Sequence, residues 1–171
     1  MASIVLVGVP GAGKTTVGKL LAESLKQEFF DSDQVIESQA GKSVSDIFTQ
    51  DGESVFRSLE HDVIIQLLQS RNGVLALGGG ALGNTDTRNA VKGATTIWLV
   101  AGLAQAVDRV GMNRNRPLLL GNVRGQLAEL MTAREPLYKE VATIVIDTSK
   151  LTPSEVVSNI LSELKAVGVN S

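Results

Sequence analysis

The sequence predicts an α/β fold, an open parallel β-sheet with helices on both faces. Two observations carry this. Short strand-like runs alternate along the chain with stretches of helical periodicity. The strand-like runs are also mostly apolar rather than alternating, as in strands covered on both faces. The first run, residues 4–7, is Ile-Val-Leu-Val. Over residues 14–26, Val17, Leu20, Leu21 and Leu25 fall at helical spacing. Phe29 and Phe30 form a short second strand ending at Asp31. Ser43, with Asp46 three residues on, predicts a capped short helix carrying Ile47 and Phe48. Residues 53–69 read as a longer helix with Phe56, Leu59, Val63 and Leu67 along one side. The third strand, 74–77, is stopped by Gly78-Gly79-Gly80. A fourth strand over 95–100 leads to a helix over 103–110.

From Gly111 to Pro117 the chain is polar and rich in helix breakers, which predicts a mobile loop. Residues 124–138 are helical with Pro136 near the end, and 143–146 make the fifth strand. In the last helix Thr152 is the cap, Pro153 takes the first position and Glu155 completes the capping box. Val156, Val157, Ile160, Leu161 and Leu164 supply its buried stripe. Open sheets of this kind bind ligands at the carboxyl ends of their strands, the edge where Gly8, Asp31, Asp33 and Gly78 emerge.

Composition narrows the function. The 171 residues fit one domain, long enough to remove roughly 70% of the unfolded chain's surface from water. With 43% hydrophobic and 20% charged residues, the composition is globular and argues against disorder. No apolar run reaches the ~18–20 residues that span a bilayer, and no signal-peptide pattern opens the chain, so a cytoplasmic protein without membrane contact is expected. Absence of cysteine excludes disulfides, thiolate zinc and a cysteine nucleophile, and a single histidine argues against a histidine metal site or triad. Sixteen basic against eighteen acidic residues, a net charge of −2, opposes nucleic-acid binding. No long apolar surface run is evident, and a monomer is expected.

The strongest motif is Gly8-Val9-Pro10-Gly11-Ala12-Gly13-Lys14-Thr15, which fits G-x-x-x-x-G-K-[ST] directly after a strand and before a helix. Its glycines let backbone N–H groups turn inward as an anion nest, and the helix start adds the positive end of its dipole. Lys14 reaches the β- and γ-phosphates of a nucleotide, and the Thr15 hydroxyl is a hard oxygen suited to Mg²⁺. No N-K-x-D guanine motif is present, and the third strand ends in Gly78 rather than a carboxylate. A small-molecule kinase fits this better than a GTPase or a motor ATPase.

On the acceptor side, Asp31-Ser32-Asp33 places two carboxylates at the end of a strand. One could support the Mg²⁺ shell while the other accepts a hydrogen bond from an acceptor hydroxyl. Taken singly, each candidate also has a structural reading. Asp33 could cap the following helix, Arg57 could pair with Glu53 or Glu60, Gly78-Gly79-Gly80 could be a plain loop, and Arg134 could be a surface charge. His61 carries no assignable role, and Trp98 reads as core.

Together these residues resemble the shikimate kinase family. The resemblance runs from the Gly8–Thr15 loop to the Pro153 helix. It rests on Asp31-x-Asp33, Phe56-Arg57-x-x-Glu60, Gly78-Gly79-Gly80-Ala81, Arg116-Pro117-Leu118-Leu119 and Arg134-x-Pro136-x-Tyr138. It implies a P-loop three-layer sandwich whose five-stranded parallel sheet has the order 2-3-1-4-5. It also implies a single domain, 1–171, with a substrate-binding insert over about 33–61 and a lid over about 111–124. The implied reaction transfers the ATP γ-phosphoryl group to the 3-hydroxyl of shikimate, with Mg²⁺ as cofactor. By the same resemblance, Asp33 holds the acceptor hydroxyl, Arg57 and Arg134 bind the shikimate carboxylate, and Gly79 and Gly80 approach the substrate. Gly11, Ala12, Gly13, Lys14, Thr15 and Thr16 hold ATP, with Arg109 by the adenine and Arg116 reaching the phosphates from the lid. Thr15, and Asp31 through water, serve the metal. Lys150-Leu151-Thr152 departs from relatives that carry a basic residue before the last helix, which leaves adenine contacts there unassigned. Two rivals remain at this point. One is a P-loop kinase of another hydroxy acid such as gluconate, and the other is a nucleotide-binding module that has lost catalysis.

Overall fold

The computed structural model describes residues 3–70, 72–112 and 122–169. Five strands, β1 Ile4–Val7, β2 Glu28–Asp31, β3 Gly73–Ala76, β4 Thr95–Val100 and β5 Ile144–Asp147, form one sheet of order β2-β3-β1-β4-β5. Every pairing is parallel. Parallel strands need crossovers, which helices provide; among the described residues eight helices are present. These are α1 Lys14–Leu25, α2 Ser32–Ala40, α3 Val44–Gln50, α4 Glu53–Ser70, α5 Thr85–Val91, α6 Leu103–Met112, α7 Val123–Val141 and α8 Pro153–Ala166. The last, α8, follows β5 and packs back on the sheet. All four residues of β1 and of β3 are buried, as continuous apolar runs at the sheet centre require. On the edge, β5 alternates, with Ile144 and Ile146 inward and Val145 and Asp147 outward.

Local chemistry sets the helix starts. Thr152 Oγ1 accepts from the Glu155 amide at 3.2 Å while Glu155 Oε1 accepts from the Thr152 amide at 3.2 Å, the reciprocal capping box predicted for α8. Ser43 Oγ accepts from the Asp46 amide at 3.0 Å and starts α3.

The structure differs from the sequence reading at several points. The structural alternative for Asp33, capping α2, falls to Asp31, whose Oδ1 accepts from the amides of Asp33 (3.0 Å) and Gln34 (3.4 Å). Leu59 is 36% exposed rather than on the buried side of α4, whose core residues are Phe56, Glu60, Val63, Ile64 and Leu67. α7 ends at Val141 rather than at the expected Tyr138, and both residues are buried. α5 had no counterpart in the sequence reading. It is seven residues long, buries only Thr87 and Val91, and is started by Asn84, whose side chain accepts from the amides of Asp86 and Thr87. Of the stretch predicted as a lid, Gly111 and Met112 end α6 and Val123 and Arg124 begin α7. Arg114 and Arg116 lie outside the described residues.

Candidate active site

Because the sheet is parallel, β1, β2 and β3 deliver their carboxyl ends to one edge. The loop after β1 is the phosphate loop. Gly11 and Gly13 adopt φ of 81° and 92°, a left-handed backbone that favours glycine. Gly13 caps α1 without a side-chain bond, and the first helical bond at this end runs from the Val17 amide to Gly13 O at 2.9 Å. The amides of Lys14, Thr15 and Thr16 therefore precede the helical ladder and face outward, as an anion site requires. Ala12 is buried and fixes the turn, its amide donating to Val9 O at 3.1 Å. Lys14 folds back over the loop, its Nζ donating to Gly8 O at 2.7 Å and Val9 O at 3.0 Å. α6 packs directly on the loop, since a Cβ on Gly11 would lie 2.6 Å from Ala106 O. That packing brings Arg109 to the loop, where it donates to Gly11 O at 3.0 Å.

The end of β2 meets this loop. Thr15 Oγ1 donates to Asp31 Oδ2 at 3.2 Å, so the hydroxyl of the motif and the first carboxylate of Asp31-x-Asp33 form one oxygen cluster. Among the described residues no three acidic or imidazole groups gather into a metal cage. A Mg²⁺ ion here would draw most of its oxygens from the nucleotide and water, which suits a hard ion that keeps its hydration.

The end of β3 carries the three glycines, and each lies under a different side chain. The Gly78 amide donates to the buried Ser32 Oγ at 3.0 Å and joins the start of α2 to this strand. A Cβ on Gly78 would lie 2.8 Å from Asp33 Oδ1 and 3.1 Å from Glu60 Oε2. One on Gly79 would meet Arg134 at 2.9 Å and Pro10 at 2.9 Å, and one on Gly80 would meet the Arg57 guanidinium at 2.5 Å. Four chain segments thus converge on a backbone that only glycine leaves open.

Beside the glycines lies a cavity of about 240 Å³ lined by Glu53, Arg57, Gly79, Gly80, Leu82, Gly83, Arg134, Leu137 and Tyr138. Arg57 comes from α4 and Arg134 from α7. Both structural pairings anticipated for Arg57 exist, to Glu60 Oε1 at 2.8 Å and Glu53 Oε1 at 3.6 Å, while the same guanidinium faces the cavity. It also lies over the rings of Phe56 (5.2 Å) and Phe48 (5.9 Å), which limits its freedom before a ligand arrives. Tyr138 donates to Gly79 O at 3.0 Å and lines the cavity together with Arg134, so the two side chains meet at the glycine segment. Burial pushes its phenol up to about 12. Trp98 packs behind it at 5.7 Å between ring centroids.

Two members of this arrangement escaped the sequence reading. Glu60 stood in the Phe56-Arg57-x-x-Glu60 motif without a role. It is 3% exposed, and desolvation pushes its carboxyl up to about 7 against the opposing pull of Arg57. Tyr138 stood in its motif with nothing to show that its hydroxyl reaches Gly79. His61 is satisfied, its Nδ1 lying 2.8 Å from Thr87 Oγ1.

A five-stranded sheet of this order, with the phosphate loop after its first strand and an arginine-lined cavity beside that loop, defines a P-loop kinase of small molecules. The family is narrower. The shikimate kinase family profile matches residues 10–165, and the chain belongs to that family. It is 49% identical over 164 residues to the shikimate kinase of Thermobifida fusca, covering 96% of this chain and 95% of the relative. It is 45% identical over 162 residues to that of Mycobacterium tuberculosis, covering 94% and 92%. Among solved structures, shikimate kinase from Acinetobacter baumannii in complex with shikimate superposes with a TM-score of 0.95 at 37% identity, covering 99% of this chain and 96% of that one. A gluconokinase from Sinorhizobium meliloti, at 21% identity and a TM-score of 0.63, covering 97% and 93%, shares the fold.

Proposed function

We propose that this protein transfers the γ-phosphoryl group of ATP to the 3-hydroxyl of shikimate, giving ADP and shikimate 3-phosphate. The observation that carries the reading is the cavity in which Arg57 and Arg134, from two separate helices, flank the glycines next to the phosphate loop. Shikimate is a small carboxylate with three hydroxyls. A guanidinium fork grips a carboxylate through charge-assisted, often bidentate bonds, and two forks fix its orientation. With the carboxylate held there, a hydroxyl is presented toward Asp33 and the nucleotide.

Phosphoryl transfer through a loose transition state asks the protein mainly for alignment and charge neutralisation. Asp33 accepts the hydrogen bond of the acceptor hydroxyl, orients it for in-line attack and receives its proton late. Lys14 and the amides of Gly11, Ala12, Gly13, Lys14, Thr15 and Thr16 hold the β- and γ-phosphates. Arg109, half-buried beside the loop, adjoins the adenine. Arg116, from a lid over about 111–124, adds charge at the transferring group. The insert over about 33–61 carries Asp33 and Arg57. Thr15 directly, and Asp31 through water, would hold Mg²⁺, which supplies charge neutralisation across the phosphates. Its fit rests on the Thr15–Asp31 oxygen pair.

Among the described residues no helix is long and apolar enough to cross a membrane. On this reading the enzyme acts in the cytoplasm as a monomer on ATP and shikimate, without membrane partners, and the net charge of −2 weighs against a nucleic-acid partner. ADP release from Mg·ATP, measured with shikimate, with gluconate and with no acceptor, tests the reading. Turnover should require shikimate, and equal release with gluconate or with none would refute it.

A further inference from the structure

Glu60 is a buried charge that the reaction as described leaves unused. One oxygen, Oε1, accepts from Arg57 at 2.8 Å. The other, Oε2, is buried, accepts no hydrogen bond from a described residue, and approaches the same point above Gly78 as Asp33 Oδ1. The charged groups that face it are Arg57 on its own helix, Asp33 from α2 and Arg134 from α7. Burial and Asp33 favour the neutral acid, while Arg57 and Arg134 favour the carboxylate. The balance leaves Glu60 divided between its two forms near neutral pH, with a pKa of about 7.

The two cations that favour ionised Glu60 are the two that line the cavity. A substrate carboxylate bound to them would set a second negative charge against the same guanidinium groups and displace water from the cavity. Both changes favour protonated Glu60, by like-charge repulsion and by desolvation. On the reading that shikimate places its carboxylate there, we propose that shikimate binding is coupled to uptake of a solvent proton by Glu60 at Oε2 in those molecules where it is ionised. Glu60 is then a positioning residue. Ionised, it holds Arg57 in place in the empty site. Neutral, it yields that guanidinium to the substrate.

Linkage gives the proposal a readout that a merely structural residue would not move. Isothermal titration of shikimate into the full chain at pH 7, in phosphate and in Tris, reads proton uptake from the difference in observed enthalpy. Uptake should approach roughly half a proton, because a group with a pKa of about 7 is already half protonated. It should shrink toward zero at pH 5.5. Shikimate affinity should fall several-fold between pH 6 and pH 8. Glu60→Gln should remove both the uptake and the pH dependence. His61→Gln, which changes the one histidine of the chain, should leave them in place. Binding with equal enthalpies in the two buffers overturns the coupling alone, as does uptake that survives Glu60→Gln or is lost in His61→Gln. Absence of any shikimate binding overturns the substrate reading and the coupling with it. Equal enthalpies for the wild type in the two buffers overturn the coupling even if Glu60→Gln fails to fold.

Discussion

At the scale of single residues, Asp31 and Asp33 separate by two positions into different tasks. Asp31 spends one oxygen on the amides that start α2 and the other on Thr15. Asp33, in the first turn of α2, faces Gly78, and on the proposed function it also faces the acceptor hydroxyl. Replacing Asp33 by Asn keeps its shape and removes the charge, so kcat should fall at least ~10²-fold while shikimate Kd changes much less. Single-turnover rates within a few-fold of wild type would contradict the role. Glu60 makes a second prediction, about stability. Its folded pKa of about 7 lies above the ordinary 4.5, so the native state binds its proton more tightly than the unfolded chain does. The resulting cost is absent below pH 4.5, grows as pH rises through about 7, and is on the order of 3 kcal/mol when complete. Thermal melts of wild type and Glu60→Gln should therefore shift in the variant's favour between pH 5 and pH 8, and a constant difference would show that Glu60 is not perturbed. The motif made Glu60 visible in the sequence. Its perturbation was not legible, because it comes from burial and from Asp33 and Arg134, which are distant in the chain.

At the scale of elements, the cavity is held by α4 and α7 pressing on the glycine segment. Arg57→Ala or Arg134→Ala should each weaken shikimate binding by ~2–5 kcal/mol if the carboxylate pairing is well desolvated. An uncharged amide of shikimate should bind wild type poorly and lose little more in either variant. Titration of the four combinations closes the double-mutant cycle, and additive losses would mean that these arginines do not face the carboxylate. Strong local signals made several elements legible, among them the Thr152 box of α8, the Ser43 cap of α3 and the apolar runs of β1 and β4. α5 lacked one, because Thr-Asp-Thr-Arg-Asn-Ala-Val has no apolar stripe and only Asn84 marks its start. α7 runs to Val141 rather than ending at the expected Tyr138, because Val141, about one turn further on, is buried as well.

For the whole molecule, periodicity alone justified a parallel sheet with helices on both faces, but not the order of its strands. That order depends on which long-range pairings bury the most surface, and only the family resemblance supplied it before the structure gave β2-β3-β1-β4-β5. The same order sets β1 between β3 and β4, so the phosphate loop, the glycine segment and the start of α2 share one edge. On the proposed function, this edge aligns one particular hydroxyl of shikimate with the γ-phosphate. The most direct test is ³¹P and ¹H NMR of the product formed from shikimate and Mg·ATP. A single phosphomonoester coupled to the proton on carbon 3 is the predicted result. A phosphate on another hydroxyl, or inorganic phosphate alone, would contradict it.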